Sequence, residues 1–177
     1  MNDIIAAFLD AEEGRQVAFL AKLVKSPTDN PPGDCAAHAE LARGLLEDLG
    51  FEVEAHPVPQ DAVHAAGMQS VTNLIIRHRF GDGPTIALNA HGDVVPPGSG
   101  WDHDPYGAEL VETADGRRMY GRGAAVSKSD FASYAWALLA LQKTVEAGTV
   151  LAGTVELHLT YDEEIGGTVG PQWILEQ

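Results

Sequence analysis

Thr85-Ile86-Ala87-Leu88-Asn89-Ala90-His91-Gly92-Asp93 runs from a mostly apolar stretch into a polar turn broken by glycine. Residues 85–90 are mostly apolar on both alternating faces, which predicts an interior strand. The turn that follows lies where open α/β sheets place their sites, at the end of a strand. In an extended segment residues two apart point the same way, so His91 and Asp93 share a face. A carboxylate beside an imidazole fixes its tautomer and raises its basicity, the arrangement found behind metal-bound histidines. The competing reading is a lone histidine satisfied by a turn aspartate.

Upstream of this strand the apolar period is helical. Ile4, Ile5 and Phe8, then Val17, Leu20, Leu23 and Val24, predict a first helix capped by Asn2 or Asp3. The prolines of Ser26-Pro27-Thr28-Asp29-Asn30-Pro31-Pro32-Gly33 forbid its continuation. A second helix is predicted from Asp34 as N-cap, with Leu41, Leu45, Leu46 and Leu49 inward and Gly50 in the left-handed turn that ends it. Strands are predicted at 51–54 and 71–76. Downstream of Asp93 a Gly/Pro-rich loop reaches Tyr106, followed by two short strands at 108–112 and 118–120. A long helix spans 127–146 with Phe131, Tyr134, Ala135, Leu138, Leu139, Leu141 and Val145 inward. Val155, Leu157, Leu159 and Tyr161 then alternate with Glu156, His158 and Thr160, giving a further strand, and 171–177 starts another helix. Strands alternating with helices predict an α/β fold, a mixed sheet with helices on both faces.

Composition excludes several function classes. Of 177 residues 45% are hydrophobic and 21% charged, a globular balance. With 26 Asp+Glu against 11 Lys+Arg the net charge is −15, which repels phosphate and argues against nucleic-acid binding. A single cysteine, Cys35, excludes an intrachain disulfide and fits a reducing compartment. Met1 to Asp10 lacks the basic region of a signal peptide, and no apolar run approaches the roughly 20 residues of a membrane span. A soluble, cytoplasmic protein is expected.

A second cluster follows the alternating strand: Asp162-Glu163-Glu164-Ile165-Gly166-Gly167. Three consecutive carboxylates repel one another, so they are either solvated or held by a cation. Because neighbouring side chains diverge, one glutamate can bind metal while the other works on water. Between the clusters Tyr120-Gly121-Arg122-Gly123-Ala124-Ala125-Val126-Ser127-Lys128-Ser129-Asp130 joins a strand to the long helix. It contains no nucleophile elbow, no phosphate loop and no third glycine at the dinucleotide spacing. His38, His56, His64, His78, His103 and His158 have no second ligand at local spacing and are read as packing or surface residues.

Asn89 to Pro96, Trp101-Asp102-His103-Asp104-Pro105-Tyr106, Tyr120 to Ala124 and Asp162 to Gly167, in that order, resemble the signature of a metallohydrolase family. This is the family of acetylornithine deacetylase, succinyl-diaminopimelate desuccinylase, aminoacylase and glutamate carboxypeptidase. The likeness runs from about Val17 to the last residue. It implies a zinc-exopeptidase-like α/β catalytic domain holding two zinc ions (sometimes cobalt or manganese), and a smaller inserted domain used for dimerisation. By position His91 resembles a ligand of one metal, Asp93 the carboxylate that orients it, Glu163 the general base and Glu164 a ligand of the other metal. The implied substrate is an N-acyl amino acid or small peptide cleaved at an amide bond.

Two departures stand out. The family's bridging aspartate falls on Val126, which has no ligand atom. Asp130, one helical turn on, either reaches back as a metal ligand or is a first-turn acid in a capping box with Ser127. Ser127 and Lys128 either cap the helix or hold a substrate carboxylate. The second departure is length. Residues 1–177 read as the N-terminal portion of the catalytic domain, without the inserted domain and the C-terminal part. The alternative reading of the chain is a truncated or degenerate homologue without a competent metal site.

Overall fold

The computed structural model describes residues 1–176. Helix α1 spans Asn2–Val24 and α2 spans Ala36–Glu47; β1 (Glu54–Pro57), α3 (Gln60–Ala65), β2 (Thr72–Arg79) and β3 (Thr85–His91) follow. A hairpin of β4 (Glu109–Thr113) and β5 (Gly116–Tyr120) then leads to α4 (Lys128–Glu146), β6 (Thr154–Thr160), a 3₁₀ turn (Glu163–Ile165) and α5 (Pro171–Leu175). The main sheet has the order β1-β2-β6-β3. In it β6 is antiparallel to β2 and parallel to β3, so the sheet is mixed, as the sequence predicts.

The interior strands are β2 and β6, and β3 lies at the edge. Residues 157–160 of β6 are buried on both faces, whereas on β3 the face opposite Leu88 and Ala90 leaves Ala87 and Asn89 exposed. The apolar run of β3 is therefore not a sign of two-sided burial. Leu88 and Ala90 sit opposite Leu157 and Leu159, and that row, continued by Leu74 and Ile76 of β2, packs beneath the helices. Phe19 and Leu23 of α1, Leu46 of α2, and Phe131 and Trp136 of α4 join it in one core. The opposite face of β1, β2 and β6 carries polar residues around the buried Ile75. There Arg77 bonds Glu54 and reaches Glu156 at 3.0 Å, and His158 Nε2 lies 3.0 Å from Glu156.

Local sequence signals misplace several boundaries. Met1, not Asn2 or Asp3, occupies the N-cap of α1, and Cys35, not Asp34, that of α2. Asp34 acts one step removed: Ser70 Oγ–H donates to it, and Ser70 Oγ accepts the Ala36 N–H at 2.9 Å. Gly50 has the expected left-handed φ of +90°, which returns the chain from α2. Leu41 is exposed, and Ala39 and Ala42 take the buried positions. On α4, likewise, Val145 is exposed and Trp136 is buried. The first strand begins at Glu54 rather than Phe51, whose N–H instead closes the turn after α2 on Leu46 O. The one-and-a-half-turn α3 is too short for a periodic signal.

Lys128, the first residue of α4, is fully buried, and its ammonium donates to Leu23 O at 3.0 Å and Ser26 O at 2.9 Å. It thereby closes the C-terminal end of α1 and ties the two helices together. Desolvation pulls its pKa down to about 8 from 10.5. Below pH 8 both folded and unfolded chains carry the proton, and the folded state bears the cost of the buried charge. Between pH 8 and 10.5 the unfolded chain binds more protons, so this group makes stability rise with pH by on the order of 3 kcal/mol. Denaturant unfolding of wild type and Lys128→Met at pH 7 and pH 10 checks this. The wild type should gain relative to the variant on going alkaline, and a constant difference would contradict it.

Candidate metal centre

Parallel pairing of β3 and β6 sets their C-terminal ends side by side, with His91 opposite Thr160. The chain turns after each strand, and the two turns meet. Gly92 donates its N–H to Thr160 O at 2.8 Å and lies against the Tyr161 ring, where an added Cβ would come within 2.5 Å of Cε1. Tyr161 is itself buried, with its hydroxyl 2.8 Å from His38 Nδ1. Only glycine allows this approach.

The second turn is organised from inside by Asp162, which takes a left-handed φ of +88°. Its buried carboxylate accepts the N–H groups of Val169 at 2.6 Å and Gly170 at 3.1 Å, closing residues 162–170 into a loop. Burial pushes its pKa above the usual carboxylate range, against the pull of these hydrogen bonds. The three consecutive acids thus separate: Asp162 points inward, and Glu163 and Glu164 face the opening.

Asp93 latches the two turns together. It is completely buried and accepts Asn30 Nδ2–H at 2.9 Å and the backbone N–H groups of Glu163 and Glu164 at 3.3 Å each. Burial pushes its pKa up, but hydrogen bonds from His91 and Asn30 outweigh this and hold the group below its ordinary value. His91 lies against Asp93, its Nδ1 2.9 Å from the Asp93 carbonyl oxygen and 3.4 Å from Oδ1. Both neighbours are acceptors, so Nδ1 carries the proton and Nε2 is left with a lone pair. That nitrogen faces Glu163 Oε2 at 3.8 Å. Burial lowers the His91 pKa, and the Asp93 contacts more than reverse it.

One ligand atom each from His91, Glu163 and Glu164 all lie within 4.8 Å of one another. One imidazole and two carboxylates form a donor set suited to a divalent cation such as zinc. The buried Asp93 behind the histidine is the partner that such a ligand needs. These residues fit the metal that the resemblance implies, and among the described residues they hold donors for one ion. Val126 is 60% exposed and offers no oxygen. Asp130 sits exposed in the first turn of α4, outside the three-residue group. It makes no capping box, because the Ser127 side chain does not cap α4. Ser127 Oγ instead accepts the His91 N–H at 2.9 Å, steadying the end of β3.

Asn30 and Ser127 support the site without any local signal in the sequence. The proline-rich loop carrying Asn30 is stitched to residues 92–94 by Asn30 N–H to Val94 O at 2.8 Å, Val94 N–H to Thr28 O at 3.0 Å and Thr28 Oγ–H to Gly92 O at 2.6 Å. Beside the donors opens a cavity of about 320 Å³ whose walls include Val94, Gly121, Arg122, Gly123, Val126 and Glu164.

Comparison with known proteins identifies the family. A model of the peptidase family M20/M25/M40 matches residues 87–177, just over half of the chain and the part containing all three donors. The chain belongs to that family. Succinyl-diaminopimelate desuccinylase from Gluconobacter oxydans is 37% identical over 146 residues, covering 82% of this chain and 34% of the relative. The desuccinylase of Wolinella succinogenes is 37% identical over 160 residues, covering 90% of this chain and 37% of the relative. The chain therefore spans about a third of the length of these M20 relatives. Among solved structures, human carnosine dipeptidase 1 superposes on 99% of the chain and 38% of its own, with a TM-score of 0.73 at 22% identity. An M20 metallo-carboxypeptidase from Sulfolobus solfataricus superposes on 93% of the chain and 33% of its own, with a TM-score of 0.69 at 23% identity. These two likenesses carry the M20 catalytic fold.

Proposed function

We propose that this M20 protein is a zinc-dependent hydrolase that cleaves the amide bond of an N-acyl amino acid or small peptide. The observation that carries the reading is the meeting of two strand ends at Asp93, which gathers His91, Glu163 and Glu164 around one point. The names of the relatives, a desuccinylase and a dipeptidase, support amide hydrolysis. His91 and Glu164 would hold the cation, and Asp93 keeps the imidazole in the tautomer that presents Nε2. A bound divalent ion polarises a carbonyl and lowers the pKa of its water. Glu163 is the more solvent-open carboxylate, its side chain 58% exposed. It takes the proton from the attacking water and returns it to the departing amine nitrogen, leaving a carboxylate and a free amine. A cytoplasmic location belongs to the same reading, and the buried free thiol of Cys35 accords with it. Among the described residues no helix is long and apolar enough to cross a membrane.

A second reading, a homologue without catalysis, is favoured by Val126, which puts an isopropyl group on the cavity wall beside Glu164. Calorimetric titration with zinc, cobalt and manganese separates the two. The hydrolase reading expects zinc to bind, and His91→Ala to weaken it about a hundredfold through loss of a ligand. No zinc binding by the wild type would establish the second reading.

A further inference from the structure

Six of the seven arginines, Arg15, Arg43, Arg77, Arg79, Arg117 and Arg118, pair with a carboxylate. Arg122 has no carboxylate partner among the described residues, in a chain whose net charge is −15. Acidic partners are abundant on this surface, so an arginine without one calls for a cause. Its position supplies one, because Arg122 lines the same cavity as Glu164.

The guanidinium is held but not used up. Its Cζ stacks 5.4 Å from the centre of the Trp101 ring, and Nη2 makes only a long 3.4 Å bond to Pro97 O. Trp101 is fixed in turn by its own indole N–H, which donates to Pro97 O at 2.9 Å. Arg122 Nε is buried and has no hydrogen-bond partner. A buried N–H without an acceptor costs roughly 1–3 kcal/mol, which an incoming oxygen recovers. A planar guanidinium with free donors binds a carboxylate through two parallel hydrogen bonds. The cavity, about 320 Å³, is within the range of small-molecule sites.

We propose that Arg122 is a specificity-determining residue that binds a carboxylate of the substrate in the cavity it shares with Glu164. The substrate then lies between two poles, its scissile carbonyl toward the His91–Glu163–Glu164 group and its anionic end on Arg122. Neutral amides of the same size lack the second anchor. The orientation of the substrate rests on the hydrolase reading above; the carboxylate contact itself does not.

The test compares N-acetylglycine with its neutral analogue N-acetylglycinamide. Each is titrated into the isotope-labelled full chain without and with zinc, and the Arg122 Nε–H and Trp101 indole N–H resonances are followed. N-acetylglycine should bind about tenfold more tightly than the amide, as a charge-assisted pair implies, and should shift both resonances. Arg122→Gln should abolish the preference, and Arg122→Lys should keep a smaller one. Equal affinity of the two probes for wild type, or a preference that survives in Arg122→Gln, overturns the proposal. If Arg122→Gln fails to fold, the wild-type comparison together with Arg122→Lys still decides it. Preference for the acid with no zinc binding upholds the Arg122 contact and removes the metal reading. Zinc binding with no preference does the reverse.

Discussion

Glu163→Gln is expected to lower the rate of hydrolysis of an N-acetyl amino acid by about a thousandfold, the usual scale for losing a positioned general base. Glutamine matches glutamate in size and keeps its backbone N–H on Asp93, so the loop should hold its shape. What it loses is the capacity to accept a proton at neutral pH. Zinc affinity measured by calorimetry distinguishes this role from that of a ligand. Glu163→Gln should change it less than about threefold, whereas Glu164→Gln should weaken it by about tenfold or more. Equal weakening by both substitutions would make Glu163 a ligand and leave the reaction without the base assigned here.

Asp93→Ala is the substitution expected to damage stability most. The carboxylate is fully buried and is the common acceptor for Asn30 Nδ2–H and the N–H groups of Glu163 and Glu164. Truncation leaves three donors facing a void, with a cost of about 3 kcal/mol for a broken buried charged network. It also removes the carboxylate 3.4 Å from His91 Nδ1 while the 2.9 Å contact to the Asp93 backbone carbonyl remains, so zinc affinity should drop by about 10-fold, the low end for a lost partner of a ligating histidine. Denaturant unfolding of the metal-free chain measures the first effect and calorimetry the second. A loss below about 1 kcal/mol would show that the two turns do not depend on this latch. Asp93→Asn should fall between, because its amide offers one acceptor oxygen where the carboxylate offers two.

Much of the site was legible from spacing alone. His91 and Asp93, two residues apart at the end of a strand, do lie together, and the acidic run 162–164 does follow the next long strand. The partition of that run was not legible. Asp162 turns inward because its φ of +88° and the N–H groups of Val169 and Gly170 demand it, and neither is encoded in three identical charges. Asn30 was invisible for another reason. It reaches Asp93 across 63 residues of sequence, a separation at which no periodic or spacing signal survives. Asp130, whose helical spacing left it open as a ligand or a first-turn acid, lies exposed and outside the group of three donors.

The α/β class, the long helices and the candidate cation ligands were readable along the chain, because hydrophobic period and side-chain chemistry are local properties. Tertiary structure alone decided which strand lies inside. An apolar run records how much surface can be buried, whereas burial on both faces and both edges depends on neighbours, and β6 has two while β3 has one. Tertiary structure also decided that two loops about 70 residues apart become one site. Parallel pairing of β3 and β6 puts their ends at the same level, and a single buried carboxylate accepts from both sides of the gap.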